Sequence, residues 1–223
     1  MVVSSLLVSN MAVDFDTLQQ VTESSGQAPG PLVFDFASAE KQDSPSVDFS
    51  SLSRVDKGDP DIEMIIRDAA QGAGVDETTL LSIAQVESAL DPKAKNPNSS
   101  AEGLFQFIDD TWKDVAGEGK DKLHPATNAE AGAEFTKRNI AGLKEELGRD
   151  PTLEETYMAH FLGLNGAKKT LKKLQENPEA LAKDVFSSSV RKANENIFKE
   201  GVTAQEAMNN LTSKVTKAAG KFN

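Results

Sequence analysis

Asp76-Glu77-Thr78-Thr79-Leu80-Leu81-Ser82-Ile83-Ala84-Gln85-Val86-Glu87-Ser88-Ala89-Leu90-Asp91-Pro92 reads as one capped helix. Asp76 is a residue type that accepts hydrogen bonds from the free amides of a first helical turn. Leu80, Leu81, Ile83, Ala84 and Leu90 supply an apolar side at helical spacing. Asp91-Pro92 ends the run, because proline disfavours helical geometry at the residue before it. Glu87 breaks the pattern. It follows Ala84 by three residues, Ile83 by four and Leu80 by seven, so it shares their face. A glutamate there is directed toward the core or a cleft wall. Burial disfavours its charged form, so its pKa is expected to rise. A carboxylic acid still protonated near neutral pH can donate to a leaving oxygen. A salt-bridged or snorkelling glutamate at a helix end fits the same spacing, so helix position alone does not decide.

The surrounding chain is helical in texture. Ile62, Ile65, Ile66, Ala69 and Ala70 follow one helical stripe, broken by Gly72-Ala73-Gly74. A polar loop from Lys93 to about Glu102 leads into the apolar block Gly103-Leu104-Phe105-Gln106-Phe107-Ile108. A helix is predicted from Asp110 through Trp112, and a long one over residues 126–147. Pro151-Thr152 opens another, running to Gly163, and shorter helices follow around 166–176, 179–186 and 189–198. Residues 203–218 carry Ala204, Met208, Leu211 and Val215 on one stripe, a helix that caps the domain or binds a partner helix. No strand run, hairpin signal or internal repeat stands out. The fold class expected is all-α, mainly helical.

Residues 1–60 differ. They hold eleven serines, nine acidic and three basic residues, and turn signals such as Gln27-Ala28-Pro29-Gly30-Pro31. That composition predicts a flexible, disordered arm or a docking segment. The expected domains are therefore an arm at 1–60, a helical domain at 61–198 and a C-terminal helix at 199–223.

Composition narrows the function. The 223 residues contain no cysteine, so thiolate and disulfide chemistry are excluded, and two histidines, His124 and His160, make a multi-histidine metal site unlikely on ligand count. A net charge of -11 is wrong for general binding to nucleic acid. No apolar run approaches the roughly 20 residues of a membrane helix. The first basic residue is Lys41, so the mildly apolar start lacks the positive region of a secretory signal. A substrate outside the cytoplasm would require another means of delivery.

Several motifs in order carry a resemblance. Glu87-Ser88 is followed by Gly103-Leu104-Phe105-Gln106, then Thr111-Trp112, Asn128-Ala129-Glu130-Ala131-Gly132-Ala133, Tyr157-Met158-Ala159-His160-Phe161-Leu162-Gly163 and Ala193-Asn194-Glu195-Asn196-Ile197-Phe198. Over about residues 61–198 the chain resembles the soluble, goose-lysozyme-like lytic transglycosylases, particularly those carried in phage particles. Their first motif is Glu-Ser on a helix and their second Gly-Leu-Met-Gln, here with Phe105 for Met. Two departures stand out. The third motif, usually Ala-Tyr-Asn-Ala-Gly, is Ala159-His160-Phe161-Leu162-Gly163, so the sugar-holding asparagine is absent at Phe161. The late tyrosine that often faces the glutamate is also missing, and Tyr157, the single tyrosine, lies before the third motif.

The resemblance implies a lysozyme-like helical domain and a catalytic Glu87. Ordinary glycosidases use two carboxylates; this family is taken to work with one. Glu87 would protonate the oxygen bridging N-acetylmuramic acid and N-acetylglucosamine, with the substrate's N-acetyl oxygen stabilising the anomeric charge. As a carboxylate it would then take the proton of the C6 hydroxyl, giving a 1,6-anhydromuramyl end. Attack by water, a muramidase outcome, uses the same acid. Ser88, Ser100, Gln106, Phe107, Tyr157 and His160 are the candidate substrate-binding residues. Each has a plainer reading: a helix serine, a loop serine, a structural glutamine, a core phenylalanine, a core tyrosine and a satisfied histidine. Phe105 has the same two readings as Phe107, and Trp112 reads as core. Asp91, Asp109 and Asp110 are candidates for a second carboxylate, explained more simply by helix ends. Lys168-Lys169-Thr170-Leu171-Lys172-Lys173 offers positive charge to steer an anionic glycan, or a solvated helix face.

The partner implied is a peptidoglycan glycan strand, with phage structural proteins docked through 1–60 or 199–223, and no metal or organic cofactor. The expected location is the phage virion, acting at the host periplasm or cell wall. Two other functions fit: a virion structural or wall-binding protein with a degenerate enzyme fold, and an endolysin used at lysis.

Overall fold

The structure is a computed structural model that describes residues 61–223. The expected arm at 1–60 lies outside the described residues. Among those described, the architecture is helical with no named strand, in agreement with the mainly α expectation.

Local chemistry sets the helix ends. Helix α1 (Ile62–Ala73) starts where the Asp61 carboxylate accepts from the Met64 amide, and stops at Gly74, whose φ of 72° suits a residue without Cβ. Helix α2 (Glu77–Ser88) starts at Asp76, which accepts from Thr79 N at 2.7 Å. It ends two residues earlier than its apolar pattern predicts. Ala89 and Leu90 both take left-handed geometry, with φ of 55° and 64°, at a cost of about 1–2 kcal/mol each. Leu90 thus leaves the helical face it was assigned to and is only half-buried. The turn throws the chain sharply away at the end of α2, one residue beyond Ser88, and so fixes where Glu87 stops.

Loop 93–107 folds back on itself through single antiparallel bridges, Lys95 with Glu102 and Glu102 with Phe107. Helices α3 (Asp109–Ala116) and α4 (Pro125–Leu147) follow. Helix α5 (Leu153–Glu176) opens on a capping box in which Thr152 and Glu155 satisfy each other's backbone amides. Sequence periodicity predicts two helices divided at Gly163. The structure agrees: Gly163 leaves helical geometry, with φ 72° and ψ 158°, and divides α5 into two helical halves. Helices α6 (Ala182–Val185) and α7 (Ser188–Ala193) are shorter than their predicted spans. Helix α8 (Ala204–Ala219) repeats the capping box with Thr203 and Glu206.

Helix α2, which carries Glu87, is deeply packed. Seven of its twelve residues are buried, including Leu80, Leu81, Ile83 and Ala84, because α1, α4 and α8 all lie against it. Helix α4 also packs on α1, α3 and α5, and α8 crosses from α2 to α5. The α8 stripe of Met208, Leu211 and Val215 is buried in that seam. Each such side chain contributes roughly 1.5–3 kcal/mol. This arrangement sets the last turn of α2 against the first half of α5, with α8 alongside both. No described helix is long and apolar enough to cross a membrane.

Candidate functional site

Glu87 is the penultimate residue of α2 and is 2 % exposed. The neighbours used to infer its burial, Leu80, Ile83 and Ala84, are themselves fully buried. Helix α5 brings Tyr157 and His160, one turn apart on one face. His160 Nε2 lies 3.7 Å from Glu87 Oε1. The imidazole is enclosed by rings: Phe135 meets it edge-on at 5.6 Å, Tyr157 lies parallel at 6.2 Å, and Phe105 and Phe107 stand at 6.5 and 6.4 Å.

This enclosure is buried, and its electrostatics follow. Burial pushes the Glu87 carboxyl up to about 8; the nearby Tyr157 phenol and, more weakly, the Lys214 ammonium of α8 oppose the rise. Burial also pushes the His160 imidazole down to about 4, against a raising influence of the Phe105 backbone. Both groups are therefore uncharged at neutral pH. Tyr157 is raised well above its ordinary value, first by burial and then by Glu87, and stays a phenol. Neither Glu87 oxygen and neither His160 nitrogen has a partner within hydrogen-bonding distance and angle. The phenol and the Phe105 backbone are thus near these groups without being bonded to them. Four orphaned polar atoms buried side by side are costly, and a protein that retains them holds groups ready for something else.

The motif loop packs against this cluster through Phe105 and Phe107, and it is stapled internally. Gln106 is buried in left-handed geometry, φ 50°, and its amide donates to Ala94 O and Gly103 O at 3.2 and 2.9 Å. Asn128 on α4 accepts from Phe105 N at 3.0 Å and donates to Lys122 O at 2.8 Å. Lys122 Nζ donates to Ser100 O at 2.7 Å and to Asp109 Oδ1 at 2.5 Å. Gly103, at φ 79°, leaves no room for a Cβ, which would meet Asn128 and the Lys122 carbonyl.

The sequence candidates divide accordingly. The structure gathers Glu87, Tyr157 and His160. His160 is not the satisfied histidine of the plainer reading. Phe107 has no exposed face and packs on Trp112 and Phe135 as well as His160, so it lines the acid's enclosure from within the core instead of offering a sugar platform. Gln106 holds the loop, as described. Ser88 donates its hydroxyl to Ala84 O of its own helix and neither caps nor orients Glu87. Ser100 is exposed and accepts from Asp109 N. Of the possible second carboxylates, Asp91 accepts from Lys93 N, Asp109 pairs with Lys122, and Asp110 is exposed in the first turn of α3. Trp112 is core, its indole donating to Lys120 O. Within the lysine run, Lys168 pairs with Glu146 and Lys173 donates to Asp184 O. Asn128, Lys122, Phe135 and Lys214 were missed as site-forming residues. Asn128 heads the motif Asn128 to Ala133, but nothing in that motif marks it as an anchor for a distant loop. Lys214 gave none.

Residues 64–183 match the family model of the transglycosylase SLT domain, more than half of the chain. This chain belongs to the transglycosylase SLT family. The SLT domain makes it a transglycosylase-type enzyme acting on peptidoglycan, with a lysozyme-like fold. The SLT match takes in Glu87, the motif loop, Tyr157 and His160, and ends before α8, the helix that carries Lys214. Among the described residues, no group of three or more His, Asp or Glu side chains could hold a metal ion.

Proposed function

We propose that the protein is a lytic transglycosylase in which Glu87 serves in turn as acid and base. The observation that carries this reading is a fully buried carboxyl group without a hydrogen-bond partner, whose pKa burial pushes up to about 8. The Glu87 proton passes to the oxygen bridging N-acetylmuramic acid and N-acetylglucosamine, and the bond from that oxygen to the muramic anomeric carbon breaks. The substrate's own N-acetyl oxygen offsets the charge that develops, so one enzyme carboxylate suffices. The C6 hydroxyl oxygen then bonds to the anomeric carbon, and its proton returns to Glu87. The product is a 1,6-anhydromuramyl end, and no water is consumed. Both carboxyl oxygens are shut from solvent in the free protein, so the glycan must part the surrounding side chains to reach them.

The motifs around Glu87, Asn128, His160 and Asn194 favour the phage-borne branch of the family, in a particle protein that opens the wall locally during infection. The phage structural proteins to which it docks would engage residues 1–60 or 199–223. A lysis endolysin would share the chemistry; recovery of the protein from washed particles separates the two. The altered third motif, with Phe161 in place of the asparagine, favours a second reading: a wall-binding protein without activity.

The test is digestion of purified peptidoglycan by the wild type and Glu87→Gln, with products read by mass spectrometry. Anhydro ends from the wild type alone support the proposal. Reducing ends indicate a hydrolase, and an absence of products supports the wall-binding reading.

A further inference from the structure

Beside Glu87 lies a buried polar group that the proposed reaction does not use. His160 is 1 % exposed, sits 3.7 Å from the Glu87 carboxyl, and has no hydrogen-bond partner on either ring nitrogen. A structural histidine this deep would normally satisfy at least one nitrogen. Glu87 has the same deficit, on the facing atom. The two orphans are less than an ångström from a hydrogen bond, and such contacts commonly tighten only when substrate binds. The aromatic enclosure of Phe105, Phe107, Phe135 and Tyr157 leaves the imidazole little freedom to point elsewhere.

We infer that His160 is a positioning residue for Glu87: its Nε2–H donates to Oε1 and leaves the other carboxyl oxygen as the one that gives and takes the proton. This rests on the proposed role of Glu87. It deepens that role by separating the two oxygens. Nε2–H with a bare Nδ1 is the tautomer assigned. When Glu87 is protonated, Oε1 is its carbonyl oxygen and accepts from His160, so the acidic proton sits on the oxygen free to face the glycan. After cleavage the same Nε2–H stabilises the carboxylate through Oε1, and the free oxygen collects the C6 hydroxyl proton. His160 keeps its own proton throughout, so the balance of the reaction is unchanged. Carboxyl rotation, which would turn the acidic proton away from the glycan, is blocked. Among the described residues, the other ionisable groups that act on Glu87 are Tyr157 from α5 and Lys214 from α8. The Tyr157 phenol is a second hydrogen-bonding neighbour of Glu87 that falls outside bonding geometry as it stands, and Lys214 acts only through its charge.

Three variants of the full chain test this: Glu87→Gln, His160→Phe and His160→Gln, each with a thermal melt. Phenylalanine fills the ring's space without a donor; the glutamine amide restores one. His160→Phe should lower kcat on peptidoglycan by about 10–100-fold with KM little changed, the usual size for loss of an orienting partner. The alkaline limb of its pH profile should move upward, since a donor to the carboxylate has gone. His160→Gln should recover most of both. In the 15N spectrum, with His124 substituted to leave one histidine, His160 should show the Nε2–H tautomer. Equal activity and an unmoved alkaline limb in His160→Phe would overturn the inference, as would an Nδ1–H tautomer. If His160→Phe fails to fold, His160→Gln and the 15N spectrum still decide. Activity retained in Glu87→Gln would instead overturn the proposed role of Glu87 itself.

Discussion

Gly132 on α4 lies directly under the ring of Phe105, so close that a Cβ added there would stand 2.5 Å from the ring. Phe105 in turn borders His160. Gly132→Ala therefore displaces a wall of the acid's enclosure. It should destabilise the fold by about 1–3 kcal/mol, as overpacking does, and lower activity further than that loss accounts for. Denaturant melts and peptidoglycan turbidity assays on the same preparation check both.

Asn128 ties the motif loop to α4 with two hydrogen bonds, from Phe105 N and to Lys122 O. Asn128→Ala leaves a buried amide and carbonyl without partners and should cost about 2–4 kcal/mol. Asn128→Asp keeps the acceptor but turns an oxygen toward the Lys122 carbonyl, so it should not rescue. Urea unfolding of the two variants measures this.

Glu87 should weaken the protein that carries it. Its carboxyl rises from an ordinary 4.5 to about 8 on folding. Between those values the folded state holds a proton that the unfolded state has released, so its contribution to stability is full below pH 4.5 and is lost progressively up to about pH 8. Burial of His160 acts in the opposite direction. Its imidazole falls from 6.5 to about 4, so stability present above pH 6.5 is lost as pH drops toward 4. Glu87→Gln removes only the first effect. Its advantage over wild type should be small at pH 4.5 and reach about 3 kcal/mol at pH 7, read as a melting-temperature gap of several degrees that widens with pH.

Lys214 projects from α8 and pulls the Glu87 carboxyl downward by its charge. Its own ammonium is lowered by partial burial, against a raising effect of Glu87. Lys214→Met should move the Glu87 titration upward, and Lys214→Glu further. An unchanged midpoint in both would remove α8 from the electrostatics of the site. The measurement is the alkaline limb of activity against pH, compared at low and high salt.

What could be read from the sequence was local. Asp61, Asp76 and Thr152 mark helix starts because a cap acts on amides two or three residues away. Glu87 is legible because Leu80, Ile83 and Ala84 are its neighbours on one helix. Leu90 misled for the opposite reason: its apolar character continues the pattern, but the left-handed pair Ala89-Leu90 is set by the chain's need to turn into the loop. His160 could not be placed at Glu87 from spacing, since α2 and α5 meet only through tertiary packing. Lys122 and Asn128 act on backbone groups of a distant loop, and a lysine or asparagine in sequence carries no mark of such a target. Gln106 reads as a glycan contact in a motif; its φ of 50° and its two backbone acceptors show that its amide is already committed.

The claim on which the rest stands is that the Glu87 carboxyl keeps its proton at neutral pH. A 13C-detected titration of the Glu87 side-chain carboxyl in the intact protein, assigned with Glu87→Gln, reads that directly. A midpoint near 8 is the result predicted; a midpoint near 4.5 would mean a solvated carboxylate with no proton to give, and would contradict the account.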